Sequence, residues 1–198
     1  MGYAVHMKNE IEATFLAIDK EAVRNKFKEA GFILQTPEYT MRRKTFAFPN
    51  VPVGQKKWGR VRQESKKVTM TIKEIRGSGI NDTYETELVV NDFDTACAFL
   101  ETCGIKAQAF QENMREVWTR DNIEATIDTW PGLKPFVEVE GTTEESVKKA
   151  SQELGFDFTQ AVFGSIDLVY EKELGIPSET IVQLPEITFA NPPKKNAA

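Results

Sequence analysis

Three short segments of the sequence carry glutamates two positions apart, each within a run that has the composition of a β-strand. They are Glu10-Ile11-Glu12, Glu85-Thr86-Glu87 and Glu138-Val139-Glu140, and Arg60-Val61-Arg62 repeats the spacing with the opposite charge. Strand side chains alternate between the two faces of a sheet, so both charged residues of each segment lie on one face. Like charges placed together repel each other. Four such strands therefore require a counter-charge on that face.

Length and composition indicate an ordinary globular protein. The 198 residues suffice for one domain with a sizeable core. The net charge of −5 argues against nucleic-acid binding, and no apolar run predicts a transmembrane helix. Cys97 and Cys103 suit neither a metal site nor a disulfide, and the first residues lack a signal peptide. We therefore expect a cytoplasmic monomer or homodimer that binds neither nucleic acid nor membranes.

Alternation and capping signals predict an α+β fold with an antiparallel sheet. Asp19 is the expected N-cap of the first helix, and Thr142 with Glu145 forms an expected capping box. Strands are predicted near 8–17, 39–48, 58–63, 67–74, 83–90, 105–119, 123–129 and 135–141, and helices near 20–30, 93–102, 143–154 and 165–174. We expect one domain over residues 1–176, followed by a proline-containing tail at 177–198.

The ionisable residues of these strands share one face, whereas their apolar neighbours share the other. They are Glu10, Glu12, Arg60, Arg62, Lys73, Glu85, Glu87, Arg115, Asp128, Glu138 and Glu140. One interpretation is a solvated sheet face with helices covering the apolar side. The other is the lumen of a closed barrel, which is wide enough for one ligand.

A charged lumen would need divalent cations, because its carboxylates outnumber its cationic side chains. Oxygen ligands favour Mg²⁺ or Mn²⁺ over Zn²⁺. Arginine and lysine side chains on the same face suit the oxygens of an anion such as a phosphate. Carboxylate-bound metal ions together with arginine and lysine side chains are typical of sites of phosphoryl or nucleotidyl transfer.

An ordered set of motifs resembles the CYTH superfamily, the triphosphate tunnel metalloenzymes that include class IV adenylate cyclases and thiamine triphosphatases. The set covers about residues 8 to 172: Glu-Ile-Glu-x-x-Phe, Arg-Val-Arg, Thr-x-Lys-Glu, Glu-Thr-Glu, an isolated Arg, Asp-x-Trp-Pro-Gly-Leu-x-x-Phe-Val-Glu-Val-Glu-Gly and a late Gly-Ser-x-x-x-Leu. The resemblance implies a closed, eight-stranded antiparallel tunnel barrel with helices packed outside, a Mg²⁺ or Mn²⁺ cofactor and a small-molecule triphosphate substrate.

The resemblance also implies roles for individual residues. Metal ligands would be Glu10, Glu12, Asp128, Glu138 and Glu140. The triphosphate would be held by Arg60, Arg62, Lys73 and Arg115. Catalytic roles would fall to Lys73, Arg115, Glu85 and Glu87.

Two positions depart from the pattern of the superfamily. Its first motif is Glu-x-Glu-x-Lys, and Thr14 occupies the lysine position. Asn113 stands two residues before Arg115, where a basic residue is common. Arg42, Arg43 or Arg120 would compensate for the lost charge if its side chain faced the lumen, which the sequence does not decide.

Three functions are compatible with these residues. The first is a metal-dependent hydrolase of inorganic triphosphate, thiamine triphosphate or a nucleoside triphosphate. The second is the class IV adenylate cyclase reaction, in which the ribose 3′-hydroxyl of ATP attacks the α-phosphorus. The third is a polyphosphate- or nucleotide-binding module without turnover, for which Thr14 is the main argument.

Overall fold

A computed structural model describes residues 7–51 and 56–195 of the chain. Within these residues the chain forms nine strands and five α-helices. The strands are β1 (Lys8–Phe15), β2 (Ile33–Ala47), β3 (Lys56–Glu64), β4 (Lys67–Ile75), β5 (Thr83–Val90), β6 (Lys106–Arg120), β7 (Ile123–Thr129), β8 (Phe136–Gly141) and β9 (Glu186–Ile187). The helices are α1 (Lys20–Glu29), α2 (Phe93–Thr102), α3 (Glu144–Glu153), α4 (Ile166–Leu174) and α5 (Ser178–Ile181). None of these helices combines the length and the apolar character needed to cross a membrane.

Strands β1 to β8 form a closed antiparallel barrel. Their order is β2-β3-β4-β5-β1-β8-β7-β6, and β2 also pairs with β6. Strand β1 pairs with two neighbours. Lys8, Asn9 and Glu10 pair with β5, whereas residues 11–15 pair with β8. The predicted eight-stranded barrel with external helices is thereby confirmed.

The second strand begins earlier than the sequence predicts. Its expected range was 39–48, but β2 begins at Ile33. The sequence did not predict this extension, because Pro37 lacks the N–H that a regular β-ladder uses and therefore argues against a strand. The pairing with β6 accommodates the proline through register shifts between Leu34 and Thr36 and between Thr36 and Tyr39.

Apolar side chains pack outside the barrel wall rather than inside it. Ile11, Ala13 and Phe15 of β1 point outward and join a core with Val23 and Phe27 of α1. A second cluster lies under α2, and a third joins α4, α5 and β9 to one region of the wall. Because strand side chains alternate, this outward core leaves the inward positions free for polar and charged residues.

Local capping fixes where the helices begin. The Asp19 carboxylate accepts a hydrogen bond from the Ala22 amide at 2.8 Å, as predicted for an N-cap. The capping box of α3 lies one residue later than expected. It joins Thr143 to Ser146 instead of Thr142 to Glu145, and both reciprocal hydrogen bonds are present.

The chain after Pro177 packs against the barrel as far as the structure describes it. Strand β9 runs parallel to β6 at Phe110 and Gln111. Strand β7 pairs with β6 only from Met114 onward, so β9 occupies the edge that β7 leaves free. The Gln108 side chain also donates to the Val182 carbonyl oxygen at 2.8 Å. The last three residues of the predicted tail, 196–198, lie outside the described residues.

Candidate active site in the barrel lumen

The barrel encloses a cavity of about 1420 Å³ that opens to solvent. Its lining includes ten of the eleven residues assigned to the site from the sequence: Glu10, Glu12, Arg60, Arg62, Lys73, Glu85, Glu87, Arg115, Glu138 and Glu140. Asp128 is the exception, because its side chain is completely buried. The charged face of the strands is therefore the lumen of the barrel.

Three carboxylates meet at one place in the lumen. Glu10, Glu12 and Glu140 each offer an oxygen, and these oxygens lie within 4.8 Å of one another. Glu12 and Glu140 are direct partners across the β1–β8 ladder, which brings their side chains together. Within the described ranges, no side chain or amide donates a hydrogen bond to the Glu12 carboxylate. We call these three residues the acidic trio.

The acidic trio concentrates negative charge. Burial, together with Glu10 and Glu138, raises the pKa of Glu12 well above its ordinary value. Burial and Glu10 likewise raise the pKa of Glu140. These carboxylates repel each other and offer only oxygen ligands. Such a site fits a hard divalent cation such as Mg²⁺ or Mn²⁺.

Lys73 lies beside the acidic trio. Its Nζ is 2.6 Å from Glu10 Oε1 and 3.9 Å from Glu85 Oε2. Burial opposes ionisation of Glu10, but the charge and hydrogen bond of Lys73 prevail and lower the pKa of that carboxyl. Glu87, by contrast, accepts hydrogen bonds from Lys67 and Thr71, each at 3.1 Å.

Two of the five expected metal ligands lie outside the acidic trio and bind Arg115. Asp128 Oδ1 accepts from Arg115 Nε at 2.9 Å and from Asn113 Nδ2 at 2.7 Å, and its Oδ2 accepts from Thr126 at 2.8 Å. Glu138 pairs with an Arg115 terminal nitrogen. Asp128 thus has its oxygens occupied by protein donors and holds Arg115 in place.

A group of arginines faces this part of the lumen. Arg62 donates to Glu64 on its own strand. The buried Nε atoms of Arg43 and Arg60 have no hydrogen-bond partner among the described residues. Burial and the nearby Arg62 lower the pKa of Arg60 to about 10. The lumen thus holds buried positive charge that pairs with no carboxylate of residues 7–51 and 56–195.

Arg43 lines the lumen, although the sequence did not assign it to the site. Arg42 points outward, where its Nε donates to Gln63 at 2.8 Å. Arg120 pairs with Glu153 on the outer side. The run Arg42-Arg43-Lys44 places charges on both faces of β2, so alternation alone could not show which residue faces inward. The one signal in the sequence was the apolar Phe46, which packs under α2. Its position indicates that the even-numbered residues of β2 face outward.

Stability of the metal-free protein should fall as pH rises above the ordinary carboxyl pKa of 4.5. The carboxyls of Glu12, Glu85, Glu138 and Glu140 all have raised pKa values, with burial as the first cause. The unfolded chain releases these protons near the ordinary value of 4.5, before the folded chain does, so increasing pH favours unfolding. The lowered pKa values of Glu10 and Glu87 act below this window.

Thermal melting in EDTA across this pH range measures the effect, and added Mg²⁺ should diminish the decline. Stability that is constant or rises over the window would contradict the electrostatic description of the lumen.

Comparison with known proteins agrees with this architecture. Residues 46–163 match the CYTH domain family. No curated protein sequence matches the chain significantly. Among solved structures, the PH1012 protein of Pyrococcus horikoshii OT3 is 21% identical with a TM-score of 0.65, over 77% of this chain and 93% of that one.

Two further structures bear names that suggest an activity. A candidate adenylate cyclase from Vibrio parahaemolyticus is 15% identical with a TM-score of 0.68, over 84% of this chain and 99% of that one. HpAC1 from Hippeastrum, a candidate adenylyl cyclase described as having a dominant triphosphatase activity, is 15% identical with a TM-score of 0.53, over 86% of this chain and 99% of that one. At these identities the likeness establishes the fold, and the family match covers more than half of the chain. The chain therefore belongs to the CYTH domain family.

Proposed function

We propose that this protein is a metal-dependent hydrolase of triphosphate-bearing substrates, which it binds in the barrel lumen. One observation carries the proposal: the same lumen contains the acidic trio and two buried guanidinium groups, of Arg43 and Arg60, whose Nε atoms have no partner in the described part of the chain. The first suits a divalent cation and the second suits an anion. Membership of the CYTH family and the triphosphatase activity described for HpAC1 support hydrolysis over other uses of this equipment.

The acidic trio fits Mg²⁺ or Mn²⁺, because it supplies three oxygen ligands and Glu12 has no competing donor within the described chain. When bound there, the cation would supply Lewis-acid polarisation of a phosphate oxygen. Glu138 and Asp128 contribute through Arg115 instead, since they already bind its guanidinium.

The remaining side chains have distinct roles in this proposal. Arg60, Arg62 and Arg115 neutralise the phosphate oxygens, and Asp128 keeps Arg115 oriented. Glu85 is suited to accept the proton of the attacking water, because burial and Glu10 raise its pKa above the ordinary value and so make it a stronger base. Glu87 is held by Lys67 and Thr71, which suits a positioning role.

Phosphate release from inorganic triphosphate tests the proposal directly, with Mg²⁺, Mn²⁺ and EDTA assayed in parallel. We expect release that depends on either metal. The same protein given ATP should yield phosphate and no cyclic AMP. Cyclic AMP with pyrophosphate would establish the cyclase reaction instead, and tight binding without any product would establish a binding module.

Replacing Arg60 with glutamine (Arg60→Gln) should weaken binding of inorganic triphosphate about tenfold or more, because a charge-assisted hydrogen bond contributes about 1.5–3 kcal/mol. The unliganded protein should be equally or more stable, since Arg60 is buried without a partner in the described chain. Calorimetric titration and thermal melting measure the two effects. Lys44→Gln is the control, because Lys44 pairs with Glu101 on the outer side. Equal affinity in both variants would exclude Arg60 from the site.

A further inference from the structure

Arg43 on β2 has a position that its role in the fold does not explain. Arg43 lines the lumen, and the residue is only 7% exposed. We propose that Arg43 binds phosphate oxygens of the substrate together with Arg60 and Arg62, as a further member of the anion site. This inference rests on the proposed function, because it concerns the same lumen and the same class of ligand.

The register of the sheet places Arg43 among other cations. Arg43 and Arg62 are direct partners across the β2–β3 ladder, and Thr45 and Arg60 are the next lumen-facing pair. Directly opposed side chains on one face are about 5 Å apart at Cβ, where like charges repel. Across the other ladder, Arg43 faces the neutral Gln111 of β6. An anion between Arg43, Arg60 and Arg62 would convert this repulsion into attraction.

Neighbouring groups hold the guanidinium of Arg43 in one orientation. It stacks on the Trp130 ring, with Cζ 4.5 Å from the ring centroid. One terminal nitrogen donates to the Asn113 side-chain oxygen, and Asn113 is itself fixed by its hydrogen bond to Asp128. The Nε–H is left without an acceptor in the described chain. A preorganised donor of this kind loses little entropy when a phosphate oxygen binds.

Arg24 is an arginine with a structural role alone, and its contacts differ from those of Arg43. The Arg24 Nε and Nη2 donate to one Glu116 carboxylate at 3.0 and 2.6 Å, which neutralises the charge on the outer wall. Among the described residues, the polar and cation–π partners of Arg43 are the neutral Asn113, the Met41 sulfur and the Trp130 ring. Burial and then the charges of Arg60, Arg62 and Arg115 lower the pKa of Arg43. A buried, uncompensated guanidinium in a cavity is the arrangement expected of an anion-binding residue.

The test is calorimetric titration of the full chain with imidotriphosphate and Mg²⁺, in which nitrogen bridges replace the hydrolysable oxygens. Arg43→Gln should lower the affinity about tenfold or more, the loss expected for one charge-assisted contact. Arg42→Gln is the matched control, because the neighbouring side chain faces outward, and its affinity should stay within about twofold. Arg43→Lys keeps the charge but loses the planar fork, so a loss of about threefold or more is expected.

Three results would overturn the inference: an Arg43→Gln affinity within about twofold of the unmodified protein, an equal loss in Arg42→Gln, or no binding of imidotriphosphate by the unmodified protein. If Arg43→Gln does not fold, unchanged affinity in Arg43→Lys overturns it as well. The hydrolase proposal fails separately, when imidotriphosphate binds but inorganic triphosphate is not cleaved.

Discussion

Replacing Glu12 with glutamine (Glu12→Gln) should reduce metal-dependent hydrolysis of inorganic triphosphate about 100-fold or more, while the metal-free protein becomes equally or more stable. Mutations in the outer shell of metal sites already cost about 10- to 100-fold, so loss of a direct ligand should cost at least as much. The gain in stability follows from the raised pKa of Glu12, because glutamine removes a buried charge that no described donor contacts. Steady-state phosphate release and thermal melting in EDTA measure the two effects.

Glu124→Gln is the matched control for this experiment. Glu124 lies on β7, faces the lumen and pairs directly with Glu140 of β8. Its side chain is exposed, and it is not one of the acidic trio. Its activity should stay within a few-fold of the unmodified protein. Undiminished turnover in Glu12→Gln would remove the assignment of the metal site, even if the thermal stability changed as expected.

Replacing Asp128 with alanine (Asp128→Ala) should destabilise the fold by about 3–5 kcal/mol, the usual cost of removing one partner from a buried ion pair. The variant leaves the half-buried Arg115 beside Glu138 alone and frees Asn113 and Thr126 of their shared acceptor. Chemical denaturation of the metal-free protein measures the loss. Activity should also collapse, because Asp128 orients Arg115.

Glu124→Ala on the same strand is the control for this second variant, and its stability should change by less than about 0.5 kcal/mol. The experiment separates two roles for Asp128. A residue that served only as a metal ligand would leave metal-free stability almost unchanged and would lower Mg²⁺ affinity instead. That outcome would support the metal-ligand role implied by the sequence resemblance.

Alternation was sufficient to predict the faces of the barrel strands, with β2 as the exception. In β1, Ile11 packs outward against the helices while Glu10 and Glu12 line the lumen, as the period of two requires. In β4, Thr71 and Lys73 likewise face inward. This signal is strong because β1 and β4 each have one apolar and one charged or polar face, and a shift by one residue would bury the charges in the outer core.

The grouping of side chains within the lumen could not be predicted in the same way. Asp128 and Arg115 are direct partners across the β6–β7 ladder, and this register is a property of the folded sheet. Alternation assigns Asp128 to the inward face whether it binds a cation or an arginine. The strand β9 was also missed, because two residues, Glu186 and Ile187, are too few to show a period.

The place of β1 between β5 and β8 has a consequence for biosynthesis. Phe15 pairs with Val137, which lies 122 residues later in the chain. Strand β1 therefore completes its hydrogen bonds only after β8 has been translated, and this long-range closure makes folding slow. A nascent chain interrupted before residue 136 would expose the unpaired edge of β1. Such products should self-associate through that edge or engage chaperones, whereas the completed ring presents no such edge.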